Sequence, residues 1–455
     1  MYYYIRLLKN TPVEAVIQEP FKIVFTITTD LTEKFYDKPC KLKCQAVIRA
    51  AITHQDSVSD AENLTTIIPQ GLSQGSSLDY DPNIGYCSVD LRIAPCLTAY
   101  DECQLVLSLD PTAFNTRQLG AKCLVEPPEY EIIPAWSLPI RLRPAALDFS
   151  RKTKHRQGNK KNLTDTRQDL VERHFRLPPH FASKHGSGRS LLVREDATEG
   201  IMARHIWDSG VFMAKYLMQE GSWLSQYMSE TREHRKKEEA PIETSLSNLS
   251  VTDMTNTSSD STAVSMPVDI PSTISADVTA ASPSSIPNYS KNETEGETKS
   301  EAKTKNRERV CLELGAGTGL VGIAVAIAFP ELNVLSTDLD EALTLMQQNV
   351  DANAALLPDM NIKVGFLDWT EKDRVVNPVE ILLLADVVYN DLSHDWLLQT
   401  ILDYSDEETK VLLGYKFRHE AEQKFFDRAK AYFDIVNVHQ QDTMQLFVLT
   451  RKVNI

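Results

Sequence analysis

Three glycines near position 315 separate two apolar runs in the stretch "VCLELGAGTGLVGIAVAIAF", residues 310–329. A strand that ends in a glycine-rich turn and leads into a helix presents free backbone N–H groups, which commonly face a nucleotide. The spacing is not that of the dinucleotide-binding fingerprint, because Leu320 occupies the place of its third glycine. Glu313, two residues before the first glycine, would repel a pyrophosphate and tolerate a cationic ligand. The turn first suggests a nucleotide cofactor, and the position of Glu313 favours a ligand without phosphates, with a tight structural turn as the alternative.

The last third of the chain alternates predicted strands with predicted helices. Strand segments such as "NVLSTD", "IKVGFLD", "VEILLLAD" and "TKVLLGYKF" are separated by helical segments, and this alternation predicts a parallel, doubly wound α/β sheet. The ending "FDIVNVHQQDTMQLFVLTRK" leaves too few residues between two strands for a helical crossover, so it predicts an antiparallel hairpin at the sheet edge. A Rossmann-like sheet of seven strands with this C-terminal hairpin resembles the plan of class I S-adenosylmethionine-dependent methyltransferases.

The first 150 residues carry a different pattern. Alternating apolar runs such as "FKIVFTITTD" and "CQLVLSLD" are separated by polar or Pro/Gly turns, and no helical period lies between them. This pattern predicts an all-β, sandwich-like N-terminal domain over 1–150. The segment has no catalytic motif, so it is interpreted either as a docking module or as a structural cap.

Composition divides the rest of the chain. The basic segment "RKTKHRQGNKK" opens a predicted linker over 151–172, with a nuclear-localisation or nucleic-acid patch as the alternative. Residues 173–235 are predicted to form the N-terminal part of the methyltransferase domain. Residues 236–307, rich in Ser, Thr, Asp, Glu and Pro, predict a disordered insertion, because they hold too little apolar surface to offset conformational entropy. The cofactor-binding core is predicted over 308–455.

Charge and cysteine content exclude several classes of protein. The 63 acidic and 48 basic residues give a net charge of -15, which repels nucleic-acid phosphates. The start "MYYYIRLLKN" lacks the apolar core of a signal peptide, and no stretch approaches the ~20 apolar residues that span a bilayer. The 7 cysteines lack paired CxxC spacing and predict reduced thiols without a metal site. We expect a cytoplasmic protein, with the nucleus as an alternative location.

Five segments, in order, resemble the seven-β-strand protein-lysine methyltransferases of the methyltransferase-like group. They are "IWDSGVFMAKYL", "LELGAGTGLVG", "STD", "FLDW" and "LADVVYN". The resemblance covers residues 175–227 and 309–452 and leaves the N-terminal region and the insertion unexplained. It implies an enzyme that transfers a methyl group from S-adenosylmethionine to a lysine side-chain amine of a protein, in a group whose members modify chaperones and AAA ATPases.

The resemblance also implies which residues bind the cofactor. Glu313 would compensate its positive charge, Asp338 would accept from the ribose hydroxyls, and Asp368 would accept from the adenine amino group. The two tryptophans would contact the cofactor, with plain core packing as the alternative. The complete predicted set is Trp207, Glu313, Gly315, Ala316, Gly317, Thr318, Gly319, Asp338, Asp368, Trp369 and Ala385.

The predicted catalytic residues are Asp386 and Tyr389, which follow the fourth strand of the sheet. Methyl transfer to an amine needs no protein nucleophile, so the work of the enzyme is positioning and deprotonation. A lysine ammonium with a pKa near 10.4 is only about 0.1% neutral at pH 7.4, a cost of about 4 kcal/mol. The two residues are assigned to orienting the amine, and a purely structural role for Asp386 remains the alternative.

Two other functions remain open. The segment "ADVVY" lacks the prolines of the N-P-P-Y turn found in methyltransferases that act on planar amides and nucleobases, which argues against a nucleic-acid substrate. A small amine such as nicotinamide, or an inactive methyltransferase-fold scaffold, remains as an alternative to protein lysine. The expected partner is a protein substrate, and the N-terminal domain is a candidate docking site for it. The sequence leaves open the substrate lysine, the number of methyl groups and the oligomeric state.

Overall fold

The computed structural model describes residues 2–48, 65–67, 78–93, 102–110, 131–143, 167–181, 189–196, 201–239, 309–357, 360–371 and 377–453. Compactness divides the chain into one unit of residues 1–225 and 296–455 and a second of residues 226–295. Of the second unit, only residues 226–239 are described, as part of a helix. The predicted disordered insertion lies outside the described residues from position 240 onward, as does most of the predicted basic linker.

Thirteen strands lie between residues 2 and 196 in the described part of the chain. They are β1 (Tyr2–Lys9), β2 (Glu14–Val16), β3 (Phe21–Thr28), β4 (Cys40–Ile48), β5 (Thr65–Ile67), β6 (Leu78–Tyr80), β7 (Cys87–Leu91), β8 (Glu102–Leu109), β9 (Glu131–Ile133), β10 (Ala135–Ser137), β11 (Ile140–Arg143), β12 (Leu170–Arg176) and β13 (Ser190–Asp196). One sheet has the order β7-β3-β1-β9. The other has the order β13-β12-β10-β8-β11-β2, with β4 beside β8 and with β5 and β6 beside β4.

The two sheets share one apolar core. Inward-facing side chains of β1 and β3, such as Ile5, Ile23 and Phe25, belong to the same buried cluster as Leu42 of β4 and Leu105 of β8. Alternate residues along a strand point to opposite faces, so each sheet contributes one apolar face to this core. Most strand pairs are antiparallel, whereas β1 with β9 and β2 with β11 are parallel.

Strands β12 and β13 lie in the nine-stranded sheet, which differs from the assignment made from the sequence. Both strands fall largely in the region assigned to the methyltransferase domain, yet β12 pairs with β10 and β13 pairs with β12. The outer edge of β13 is covered from the other side. Asn349 and Asn353 accept hydrogen bonds from the backbone N–H groups of Arg194 and Leu192 at 2.8 and 2.9 Å. Alternation along a strand indicates its faces but not its neighbour, which is why the sequence could not assign these two strands.

Seven further strands form a third sheet. They are β14 (Val310–Leu314), β15 (Asn333–Asp338), β16 (Ile362–Phe366), β17 (Ile381–Ala385), β18 (Lys410–Lys416), β19 (Phe433–Gln441) and β20 (Met444–Arg451). Their order is β16-β15-β14-β17-β18-β20-β19. The first five are parallel, and β20 runs antiparallel to both β18 and β19. The predicted parallel, doubly wound sheet is confirmed, and its strand order reverses between β14 and β17.

The described α-helices are α1 (Asp208–Leu217), α2 (Trp223–Glu239), α3 (Leu320–Ala328), α4 (Asp340–Ala352), α5 (His394–Asp403) and α6 (Gln423–Ala429). Helix α1 buries Met213 completely, and a Cβ added to Gly414 of β18 would lie 3.0 Å from its sulfur. Helix α1 therefore packs directly on the parallel sheet, next to the strand ends. Among the described residues, no helix has the length and apolar character needed to cross a membrane.

Candidate functional site

A cavity of about 460 Å³ opens at the carboxyl ends of the parallel strands. It lies where the strand order reverses between β14 and β17, the place where open α/β sheets bind their ligands. The structure brings together around it almost the whole set predicted from the sequence: Trp207, Glu313, Gly315, Ala316, Gly317, Thr318, Asp338, Asp368, Trp369, Ala385, Asp386 and Tyr389. Gly319 is the exception and does not line the cavity.

The glycine turn between β14 and α3 requires glycine for two reasons. Gly315, Gly317 and Gly319 have φ angles of 64°, 56° and 79°, the left-handed region that strains other residues. A Cβ at Gly315 would also lie 2.8 Å from Cγ1 of Val387 and 3.1 Å from the Trp369 ring. At Gly319 the added atom would instead lie 2.9 Å from Met346. The absence of a side chain here therefore lets the turn pack closely against Met346. Gly319 thus has a structural role in the turn, and its contact with a ligand stays a prediction.

Asp338, the last residue of β15, holds the glycine turn. Its Oδ2 accepts a hydrogen bond from the backbone N–H of Gly317 at 2.7 Å, and its Oδ1 accepts one from Leu339 at 2.7 Å. Burial raises the pKa of Asp338, and the two hydrogen bonds oppose that shift. A carboxylate offers about four lone-pair sites, so two remain for ligand hydroxyls. The residue can hold the turn and bind a ribose together.

Glu313 is a buried carboxylate in the cavity wall, only 2% exposed. Its Oε2 accepts hydrogen bonds from Ser336 Oγ at 2.6 Å and from the Gly322 N–H at 3.0 Å. Burial, with a smaller contribution from the negative charge of Asp338, raises the pKa of Glu313 to about 7. A cationic ligand beside this group would favour its ionised form, as the sequence analysis expects.

Gly322 is a site-supporting residue that the sequence analysis missed. A Cβ at this position would collide with the Ser336 hydroxyl and the Glu313 carboxylate. A glycine inside a helix destabilises it by about 1 kcal/mol relative to alanine, so an isolated one commonly has a packing reason. The second glycine of "GLVG", residues 319–322, lies inside a predicted helix and could have indicated this packing role.

The tryptophans and Asp368 lie on the cavity wall. Trp207 donates its indole N–H to the Met202 carbonyl at 3.2 Å, and neither tryptophan is fully buried. Asp368 accepts hydrogen bonds from the backbone N–H and the hydroxyl of Thr370, both at 2.8 Å. Trp369 also packs against the apolar core of the parallel sheet, so a ligand contact of the two tryptophans and of Asp368 stays a prediction.

The loop after β17 carries the two predicted catalytic residues. Asp386 has a φ of 59°, and Arg418 donates hydrogen bonds from both terminal nitrogens to its carboxylate, one of them at 2.7 Å. This bidentate ion pair fits the structural alternative for Asp386 better than direct contact with an amine. Tyr389 lies at the cavity mouth and is 51% exposed. Burial, together with the charges of Asp338, Asp386 and Glu341, raises its pKa, so the hydroxyl stays protonated.

A buried charge network beside the cavity was not predicted. It contains Arg418 and Lys416 at the end of β18 together with Asp30 and Asp208. The position of "YKFRH" after a parallel strand could have indicated the two basic residues, because such strand ends meet at one sheet edge. Asp30 had no local signal. Within the described ranges, no group of three or more His, Cys, Asp or Glu side chains is placed to hold a metal ion.

Five parallel strands, a reversed strand order, an antiparallel strand next to β18 and a cavity at the reversal define a Rossmann-like methyltransferase fold. Residues 276–432 match a family model described as lysine methyltransferase. This part of the chain is therefore similar to the lysine methyltransferase family.

Three relatives illustrate the similarity. Protein N-lysine methyltransferase METTL21A of Danio rerio is 33% identical over 139 residues, which cover 30% of this chain and 63% of that protein. EEF1A lysine methyltransferase 3 of Xenopus tropicalis is 31% identical over 31% of this chain and 64% of its own. Protein-lysine N-methyltransferase EFM6 of Saccharomyces cerevisiae is 28% identical over 33% and 69%. The chain spans 43% to 69% of the length of the relatives it matches.

Proposed function

We propose that this protein is an S-adenosylmethionine-dependent methyltransferase that methylates the side-chain amine of a lysine in a protein substrate. The observation that carries the proposal is the cavity at the strand-order reversal, where the glycine turn meets the carboxylates of Glu313 and Asp338, in a chain whose residues 276–432 match a lysine methyltransferase family model.

The chemistry of the cavity fits S-adenosylmethionine. Glu313 and Asp338 present a buried and a partly buried carboxylate beside the glycine turn. A ligand with ammonium and sulfonium charges would favour the ionised form of these groups, whereas the ionised carboxylates would repel a phosphate. Asp338 would hold the ribose, Asp368 the adenine amino group, and the turn with Glu313 the methionine end. When bound, the cofactor supplies an electrophilic methyl group. The protein contributes binding and orientation.

Tyr389 is the best-placed residue for orienting the acceptor. It lies at the mouth of the cavity, three residues after Asp386, and its protonated hydroxyl can donate to or accept from an amine. Asp386 would fix the conformation of the loop and would not contact the amine directly, since its carboxylate is bound to Arg418. Tyr389 thus retains the predicted orienting role, and Asp386 supports it.

The cavity mouth favours a macromolecular acceptor over a small amine. Apolar residues that line it remain largely exposed, with Met202 and Tyr389 each 51%, Trp396 46% and Leu339 41% exposed. Exposed apolar side chains gathered at one opening are typical of surfaces that contact another protein. The relatives are protein N-lysine methyltransferase METTL21A and a lysine methyltransferase of EEF1A, which agrees with a protein acceptor. A chaperone or ATPase substrate and a cytoplasmic or nuclear location remain proposals from sequence.

The decisive experiment incubates the full chain with tritiated S-adenosylmethionine and a lysate from cells that lack it. We expect label on a lysine of a specific protein, mapped by mass spectrometry, and no label with the Asp338→Ala variant. Label only in small amines such as nicotinamide would favour the alternative acceptor. Failure to bind S-adenosylmethionine in calorimetry would overturn the proposal and favour a scaffold.

A further inference from the structure

Strands β1 to β13 together are called the N-terminal β region. Asp30, in the loop after β3 of this region, reaches the edge of the candidate site. It is 5% exposed, and both of its carboxylate oxygens are used. Its Oδ1 accepts from Lys416 Nζ at 2.8 Å and from the Leu31 N–H at 3.0 Å. Its Oδ2 accepts from Arg418 Nη2 at 3.1 Å and from the Asp208 N–H at 3.3 Å. One side chain thus binds the start of α1 and the end of β18.

Arg418 continues this network to the predicted catalytic loop. Its guanidinium bonds to Asp30 on one side and to Asp386 on the other, across a separation of 388 residues between Asp30 and Arg418. Asp386 holds a left-handed backbone conformation and stands three residues before Tyr389. Arg418 therefore connects the N-terminal β region to the loop that presents Tyr389.

The charges of the network make Asp30 a strong anchor. Burial opposes the ionisation of Asp30, but the Lys416 and Arg418 charges outweigh it and lower its pKa. Asp208 is the weaker acid of the pair, because burial and the charge of Asp30 raise its pKa to about 6. Asp30 is therefore the more acidic of the two carboxylates that bind Lys416. A hydrogen bond between charged groups is roughly twice as strong as a neutral one.

A second observation supports a direct contribution of the N-terminal region. Leu31, the residue after Asp30, lines the cavity together with the residues of the methyltransferase fold. The same loop therefore supplies part of the cavity wall and the anchor for Arg418.

We propose that Asp30 is a positioning residue: it orients Arg418 so that the guanidinium fixes Asp386 and thereby the loop that carries Tyr389. On this account the N-terminal β region completes the active site, beyond the roles of cap or docking module. The effect on turnover rests on the proposed function, whereas the effect on the loop does not.

The first test is hydrogen–deuterium exchange of the segment 385–390 in full-length Asp30→Asn. Asparagine keeps the shape but places an amide NH₂ against donors, so it cannot satisfy both cations. We expect that segment to exchange about tenfold faster than in the wild type. The matched control is Glu14→Gln, which removes another N-terminal carboxylate that pairs with Arg141 and Arg143 and does not line the cavity. The control should leave the exchange of the loop unchanged.

The second test measures turnover on the protein labelled in the lysate experiment. Asp30→Asn should lower kcat about tenfold to a hundredfold, while Kd for S-adenosylmethionine changes less than about threefold. The double variant Asp30→Asn/Asp386→Asn should be only slightly slower than Asp386→Asn alone, because both carboxylates act through Arg418. A merely structural role would reduce cofactor affinity and turnover together.

The possible outcomes distinguish the positioning role of Asp30 from the proposed methyltransferase function. If Asp30→Asn folds with wild-type loop exchange and turnover, the positioning role is refuted. If Asp30→Asn does not fold, Arg418→Lys serves instead, since it keeps the charge and loses the forked donor. It should loosen the same loop, and unchanged exchange there would equally overturn the inference. A wild-type protein that binds no S-adenosylmethionine overturns the proposed function, but the exchange result still decides the role of Asp30.

Discussion

Glu313 offers a test in which one buried charge is removed while its packing is kept. Both hydrogen bonds that it accepts, from Ser336 and Gly322, end on Oε2. In Glu313→Gln the amide oxygen can occupy that place and accept both, so the variant differs from the wild type mainly in charge. The substitution therefore isolates the electrostatic cost of ionising this residue inside the protein.

The magnitude follows from the pKa of Glu313, which burial raises from 4.5 to about 7. The unfolded chain releases this proton near pH 4.5, whereas the folded chain keeps it until about pH 7. Between these values the folded state binds more protons, so the free energy of unfolding falls as pH rises. At about 1.4 kcal/mol per pH unit, the wild type should lose about 3 kcal/mol relative to Glu313→Gln between pH 4 and pH 8.

Urea unfolding followed by tryptophan fluorescence at several pH values measures this difference. We expect the stability of Glu313→Gln relative to the wild type to grow between the two pKa values, 4.5 and about 7, and to level off outside them. Glu407→Gln, which alters an exposed carboxylate in the connection between α5 and β18, is the control and should show no such trend. A difference for Glu313→Gln that stays constant within about 0.5 kcal/mol would refute the assignment of a protonated buried carboxylate.

Three further predictions concern the cofactor, the acceptor and the insertion. Asp338→Ala should abolish S-adenosylmethionine binding in titration calorimetry, because each lost hydrogen bond to a charged acceptor costs about 1.5–3 kcal/mol; unchanged affinity would remove Asp338 from the site. Tyr389→Phe should keep cofactor affinity but lower turnover about tenfold to a hundredfold at every pH, whereas wild-type turnover would leave Tyr389 as a packing residue. Replacing Pro241 to Lys305 by a short Gly/Ser linker should preserve cofactor affinity and the melting temperature, since the segment has few core-forming residues, and a large fall in melting temperature would contradict this.

The sequence by itself determined the parallel sheet and most of its site. Strand and helix alternation is a local signal, and residues such as Asp338 and Tyr389 follow strand ends that parallel topology brings to one edge. Their positions near the cavity could therefore be predicted without knowing how any side chain packs. The left-handed turn was equally local, because only glycine adopts it readily.

Only the tertiary structure decided which partners these residues have. It placed β12 and β13 in the nine-stranded sheet, packed Gly319 against Met346 and paired Asp386 with Arg418. It also brought Asp30 to Arg418 from 388 residues away. Periodicity in a sequence indicates which face of an element is buried, but the neighbour on that face depends on the packing of the whole chain. Ion pairs between distant segments therefore have no local signature.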